Sequence, residues 1–329
     1  MDFTFQQKLP NVPESIYPVM TGLAIKHNAI NLAQGFPGYG VDEELMKLVN
    51  KYMLLGKNQY APMMGVPELR RRLADKMEEL YGYGYDPNTE ICVTVGATQG
   101  IFTAVSTVVN QGDEVIIIDP AFESYEPVVK FNGGKVKRSP LKSGSFEMDW
   151  DDIQSKVTKK TRMLIVNTPQ NPTGKVFSRQ DIHKLRQTVA NTNIIILSDE
   201  VYEHIVFDGN EHESIAKYPD LAERSFIVYS LGKTYHITGW RMGYVCAPRE
   251  LMKEFVRAHQ YQVYSIPTPL QYAISEYMLK KEKYLELSQF FQEKRDFFLK
   301  CVEGSKFVPI PCSGSYFQLL DYYVLTKML

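Results

Sequence analysis

Ser225-Phe226-Ile227-Val228-Tyr229-Ser230-Leu231-Gly232-Lys233-Thr234-Tyr235-His236-Ile237-Thr238-Gly239-Trp240-Arg241-Met242-Gly243-Tyr244-Val245-Cys246-Ala247 decides how the chain folds. The β-branched and aromatic run from Ser225 to Ser230 reads as a strand cut off by Gly232, which leaves Lys233 in the loop at the strand's carboxyl end. Open α/β sheets bind their ligands there. Tyr244 to Ala247 reads as a further strand, and the connection to it is too short and glycine-broken for a helical crossover, so the two are expected to run antiparallel. Gly232-Lys233-Thr234 carries letters of a phosphate-binding P-loop. Ile227 stands where that motif needs its first glycine, and Thr238, Gly239 and Trp240 interrupt any following helix, so the lysine serves some other chemistry.

Upstream, strands alternate with helices. Strands are expected over Ile91–Val95, Val115–Ile118, Met163–Val166 and Ile194–Leu197, with helices over Thr98–Val109 and Asp181–Ala190. This alternation predicts a doubly wound, mostly parallel α/β sheet. Before it come an arm with Pro10, Pro13 and Pro18, a short helix from Pro18 to Asn28, the loop Asn31 to Gly38 and an amphipathic helix from Glu43 to Met53. After Pro248 the pattern is helical over Glu250–Tyr264, Pro269–Leu279 and Lys281–Glu303, then strand, turn, strand from Phe307 to Leu320. The expected organisation is an arm and short helix over 1–30, a large domain over 31–262, and the start of a smaller α+β domain over 263–329.

With 329 residues the chain can bury a large core, and its formal net charge of -1 argues against a nucleic-acid partner. The basic patch Arg70-Arg71-Arg72 is expected on the solvated side of a helix from Pro67 to Tyr81. Cys92, Cys246, Cys301 and Cys312 show no paired spacing and read as reduced thiols of a cytoplasmic protein. No apolar stretch approaches the roughly 20 residues of a membrane helix, and the amino terminus lacks a signal peptide's apolar core. The six histidines show no metal spacing. His236 reads as a pocket or structural hydrogen-bonding residue, and Tyr235 and Trp240 as packing.

Polar groups collect at the strand carboxyl ends. Gly96-Ala97-Thr98 follows Val95, Asp119-Pro120-Ala121-Phe122 follows Ile118, Asn167 to Pro172 follows Val166, Ser198 to Tyr202 follows Leu197, and Ser230 and Lys233 follow Tyr229. In a parallel sheet these ends share one edge and converge on one crevice. The small-residue turn at Gly96 opens a helix whose free amides suit a phosphate, and Ser230 and Arg241 add a hydroxyl and a charged fork. Phe122 can stack on a flat ring, Asp199 can keep a ring nitrogen protonated, Asn171 and Tyr202 can bond a phenolic oxygen, and Lys233 can form a Schiff base. Phosphate, ring, nitrogen partner and amine together describe pyridoxal 5′-phosphate. Taken singly, Lys233 would be a surface lysine, Asp199 a helix cap, Phe122 core and Asn171 a turn residue. The joint pattern reverses those readings.

Asn31 to Gly38, Gln59-Tyr60-Ala61-Pro62, Asn167 to Gly174, Ser198 to Tyr202 and Ser230 to Gly243 resemble the class I aminotransferases of fold type I, and among them the bacterial methionine aminotransferases and their kynurenine aminotransferase relatives. The resemblance runs from about Pro10 to Asp321. It implies transfer of an amino group between an apolar or aromatic amino acid, plausibly methionine, and a 2-oxo acid by a ping-pong cycle. A kynurenine-type transaminase or a cysteine-conjugate β-lyase on the same scaffold stays open. Lys233 would form the Schiff base and shuttle the proton, Asp199 would pair with the pyridine nitrogen, and Asn171 and Tyr202 would tune the phenolic oxygen. Phe122 would stack on the ring, while the amides of Ala97 and Thr98, with Ser230 and Arg241, would hold the phosphate. Tyr60 would reach the phosphate of the neighbouring subunit in a homodimer, and Gly35 would lie beside the substrate carboxylate. For Tyr60 and Gly35, turn and packing readings stay open.

The family fixes the substrate carboxylate with an arginine well beyond the motif that here reads Gly314-Ser315-Tyr316-Phe317, and no arginine follows Arg295 in this sequence. The small domain and the substrate-anchoring half of the site are therefore expected to be incomplete, and a cofactor-binding but catalytically weak protein is the second expectation.

Overall fold

The computed structural model describes residues 7–10, 12–35 and 38–322. The beginning of the expected arm, part of the loop between Asn31 and Gly38, and the stretch from Tyr323 to Leu329 lie outside the described residues.

Seven strands form the central sheet: β1 Ile91–Val95, β2 Glu114–Asp119, β3 Lys135–Pro140, β4 Thr161–Asn167, β5 Ile195–Asp199, β6 Ser225–Tyr229 and β7 Met242–Cys246, in the order β1-β7-β6-β5-β4-β2-β3. All neighbours are parallel except β7, which is antiparallel to both β1 and β6, as the cramped connection predicts. A strand buried on both faces reads as a near-continuous apolar run, and β1, β2, β4, β5, β6 and β7 carry such runs, whereas edge strand β3 does not. Their alternate side chains feed two separate cores: Val93, Ile116, Leu164, Ile196, Ile227 and Tyr244 enter one, and Cys92, Val115, Met163, Leu197, Val228 and Val245 the other. Each fully buried branched side chain contributes about 1.5–3 kcal/mol.

Helices cover both faces: α1 Ile16–Lys26, α2 Glu43–Leu54, α3 Pro67–Tyr81, α4 Gly96–Val108, α5 Tyr125–Phe131, α6 Trp150–Lys156, α7 Arg179–Val189, α8 Arg249–Gln262, α9 Thr268–Tyr277 and α10 Leu287–Val302. The helical stretch expected over 281–303 is broken at Glu286 between a single turn, Glu282–Leu285, and α10. The expected strand-turn-strand near the end is the antiparallel pair β8 Val308–Pro309 and β9 Leu320–Asp321. Among the described residues no helix is long and apolar enough to cross a membrane.

The basic patch needs correction. Arg70 is buried, donating from Nε to the Gly65 carbonyl at 3.1 Å and from Nη1 to the Pro87 carbonyl; Arg71 and Arg72 are exposed as expected. Arg70 shares the inward face of α3 with Ala74 and Met77, and its fork satisfies two carbonyls of the loops around it.

Candidate active site

The topology brings the expected residues to one edge. Parallel strands β2, β4, β5 and β6 end there, and antiparallel β7 begins there, since Met242 pairs with Val95 at the end of β1. Arg241, one residue before β7, therefore stands beside Gly96. In register, Asn167 pairs with Asp199 across β4 and β5. The resulting cleft, about 460 Å³, is lined by Gly35, Ala97, Thr98, Phe122, Asn171, Asp199, Tyr202, Ser230, Lys233 and Arg241, together with Tyr17, Gln34, Asn167 and Phe317.

Lys233 lies in a single helical turn, Leu231–Thr234, rather than an open loop. Ser230 caps that turn, its side chain accepting from the Lys233 amide at 3.2 Å. The lysine's Nζ reaches across the cleft, donating to the Tyr316 hydroxyl at 2.5 Å and the Gly35 carbonyl at 3.3 Å. Burial, and next the positive charge of Arg241, lower its pKa to about 8, with Asp199 opposing. Asp199 accepts from the Tyr125 hydroxyl at 2.6 Å and the Val201 amide at 3.3 Å. Burial raises its pKa to about 6 despite those bonds. The turn after β5 splits its side chains: Asp199 and Tyr202 line the cleft, while buried Glu200 bonds His212, Ser198, Tyr229 and the Ile215 amide, and buried Glu203 bonds Lys76 and Tyr81.

The opposite end suits an anion. Helix α4 opens at Gly96, two residues earlier than expected, with φ +68°, and a Cβ there would meet Arg241 Nη2 at 2.8 Å. Glycine adopts that positive φ without strain, and its lack of a Cβ leaves the guanidinium room beside the backbone. Arg241 is itself left-handed, at φ 54° and ψ 55°, and its Nη1 and Nη2 donate to the Thr238 carbonyl at 3.2 Å and the Thr98 hydroxyl at 3.5 Å. The amides of Ala97 and Thr98 belong to the first turn, where helix amides lack intrahelical partners. Phe122 stands edge-to-face against Tyr125 at 5.7 Å.

Tyr60 does not join this set within its own chain. It is 83% exposed and meets Tyr264 edge-to-face at 5.4 Å. His236 bonds the Tyr39 hydroxyl and is not part of the cleft lining. Among the described residues no cluster of side chains suits a metal ion.

Residues 27–327 match the family description Aminotransferase class I and II. The chain belongs to this aminotransferase family. It is 41% identical to a methionine aminotransferase of Escherichia coli over 98% of this chain and 84% of that one. It is 34% identical to kynurenine–oxoglutarate transaminase 1 of Homo sapiens over 91% and 76%. Among solved structures it superimposes with TM-score 0.94 on an Escherichia coli protein with a methionine aminotransferase function, at 41% identity over 98% of this chain and 85% of that one. An N-succinyldiaminopimelate aminotransferase from Mycobacterium tuberculosis gives the same TM-score at 33% identity, again over 98% and 85%.

In and behind the lining of the aminotransferase cleft stand residues that the sequence alone does not single out. Tyr125 follows Phe122 by three positions, but its burial against Asp199 depends on α5, which the pattern did not reveal. Asn167 was visible as a strand-end residue, and its amide group ties the Asp199 carbonyl at 2.7 Å to the Asn171 amide at 2.8 Å. Tyr316 was visible only as part of a turn motif. Arg295, the last arginine, pairs with Asp208 at 2.6 Å through both Nη1 and Nη2 and lies outside the cleft lining.

Proposed function

We propose that this aminotransferase holds pyridoxal 5′-phosphate in the cleft and transfers an amino group between an apolar or aromatic amino acid, methionine foremost, and a 2-oxo acid. The observation that carries the proposal is the meeting of Lys233, Asp199 and the Gly96–Arg241 corner in one cleft. The donor set fits the cofactor. Gly96 gives way to the Arg241 fork, and that fork with the amides of Ala97 and Thr98 and the Ser230 hydroxyl would hold the phosphate. Asp199, ionised above about pH 6, would face the pyridine nitrogen, and Phe122 would stack on the ring. Asn171 and Tyr202 would bond the phenolic oxygen. When bound, the cofactor supplies an electron sink for charge developing at the substrate's α-carbon. Lys233, with a pKa near 8, has a substantial neutral fraction just above neutrality and would be the group that takes and returns the α-proton. Gly35 would lie beside the substrate carboxylate.

The identity to a methionine aminotransferase supports methionine. The human kynurenine–oxoglutarate transaminase supports a kynurenine-type reaction as the second reading, with β-lyase chemistry beside it. A homodimer is part of the proposal: α1 buries none of its residues in the chain, Leu32 is 89% exposed, and exposed Tyr60 would reach the phosphate of a neighbouring subunit. A solution mass of a single chain would contradict that part. The function is tested by mixing the cofactor-loaded protein with methionine, kynurenine or phenylalanine and following conversion of the bound cofactor to its amine form. Methionine is expected to convert it fastest. No conversion by any amino acid would leave a cofactor-binding protein without transfer activity.

A further inference from the structure

Tyr316 is brought to the lysine by a backbone pinned on both sides of Ser315. Gly314 bridges Val206, and Ser315 is fully buried at φ +63°, its amide donating to the Ile205 carbonyl at 2.9 Å. A non-glycine residue in that conformation persists only where its surroundings impose it. The ring of Tyr316 is then fixed by Tyr202 at 5.0 Å, Phe317 at 5.2 Å and Phe291 at 5.7 Å. Its hydroxyl donates to the Gly35 carbonyl at 2.7 Å, and with that hydrogen committed, its oxygen can only accept from Lys233.

The lysine's Nζ thus faces two neutral acceptors, the Tyr316 oxygen and the Gly35 carbonyl. Among the described residues no carboxylate forms a salt bridge with it; Asp199 is turned to Tyr125, and the positive charge of Arg241 acts against its ammonium. Two acceptors match the two N–H bonds of a neutral amine and leave its lone pair unclaimed. An ordinary core tyrosine needs only the Gly35 carbonyl, so the contact with Lys233 is what asks for a role.

We propose that Tyr316 is a positioning residue for amino transfer: its hydroxyl oxygen receives the Lys233 amine whenever that amine is not covalently engaged and holds it with the lone pair free. This rests on Lys233 being the covalent residue. A phenol oxygen accepts more strongly from an ammonium than from an amine, so its removal lowers the lysine's pKa. A Phe ring keeps the three aromatic contacts and loses the hydroxyl, and with it the acceptor for Lys233, the donor to the Gly35 carbonyl and the bond to the Tyr202 hydroxyl.

The test is competitive acetylation of the full chain with acetic anhydride at pH values spanning the lysine's pKa of about 8, with mass spectrometry of the peptide containing Lys233. Tyr316→Phe is expected to move the Lys233 titration down by about one pH unit, the scale of a lost hydrogen bond to a charged group. It is also expected to lower kcat of the methionine reaction about tenfold with KM little changed, while the unfolding midpoint stays near wild type. Tyr202→Phe removes a hydroxyl bonded to Tyr316 but leaves the Tyr316 oxygen to accept from the amine, so it is expected not to lower the Lys233 titration. An unchanged or raised Lys233 titration in Tyr316→Phe overturns the proposal. Failure of the cofactor reading would show separately, as wild-type protein that takes up no cofactor at Lys233 while its acetylation profile remains measurable.

Discussion

Asp199 is buried within electrostatic reach of a lysine, yet it hydrogen-bonds a phenol instead. Its folded pKa of about 6 lies above the ordinary 3.8, so the folded chain binds more protons than the unfolded one between those values. Stability of the empty protein therefore falls as pH rises through that window, by about 3 kcal/mol once the carboxylate is fully ionised. Lys233 behaves oppositely: its folded pKa is depressed, so its cost is complete below about 8 and is relieved as pH rises toward 10.5. Asp199→Asn should raise the unfolding free energy of the cofactor-free protein above pH 6, with the gain vanishing toward acid, and should weaken cofactor binding by about 100-fold. Equal denaturant midpoints for the two proteins at neutral pH would contradict this electrostatic account. The sequence showed Asp199, Asn171 and Lys233 because each follows an apolar strand. It hid the partners: Tyr125 bonds Asp199 from a seven-residue helix and Tyr316 bonds Lys233 from a two-stranded hairpin, where no periodic pattern announces them.

At the level of elements, legibility followed burial. β1, β2, β4, β5 and β6 read clearly because both faces are covered, whereas β3, Lys-Val-Lys-Arg-Ser-Pro, lies at the sheet edge with charged residues and no apolar run. The antiparallel setting of β7 was legible from chain length alone, and it is what delivers Arg241 to the helix start at Gly96. On α3 the three arginines look equivalent as a charge run, but the helical repeat separates Arg70 from its neighbours. Arg70→Ala leaves the Gly65 and Pro87 carbonyls without their donor and should cost about 1–3 kcal/mol in urea unfolding, while Arg71→Ala on the exposed side should stay within about 0.5 kcal/mol. Similar losses in both variants would show that the Arg70 fork does not hold these loops.

Across the whole molecule, the two cores fix the sheet and the sheet fixes the cleft. Side chains alternating into opposite cores prevent any strand from slipping, because a shift by one residue would exchange its two faces. Five strand termini and one antiparallel start are thereby held at one edge, so residues far apart in sequence act as one site. The doubly wound class and most of this edge could be read from the alternation of strands and helices. What could not be read was how the last segment folds back: the Val206–Gly314 bridge that sets Tyr316 against Lys233 joins positions with no shared pattern. The central claim is that this edge exists to present Lys233 to pyridoxal phosphate. Borohydride reduction of the protein with that cofactor, followed by digestion and mass mapping, tests it most directly. The account predicts a pyridoxyl group on Lys233 that disappears in Lys233→Ala. Absence of label on Lys233, or label spread over surface lysines alone, would contradict it.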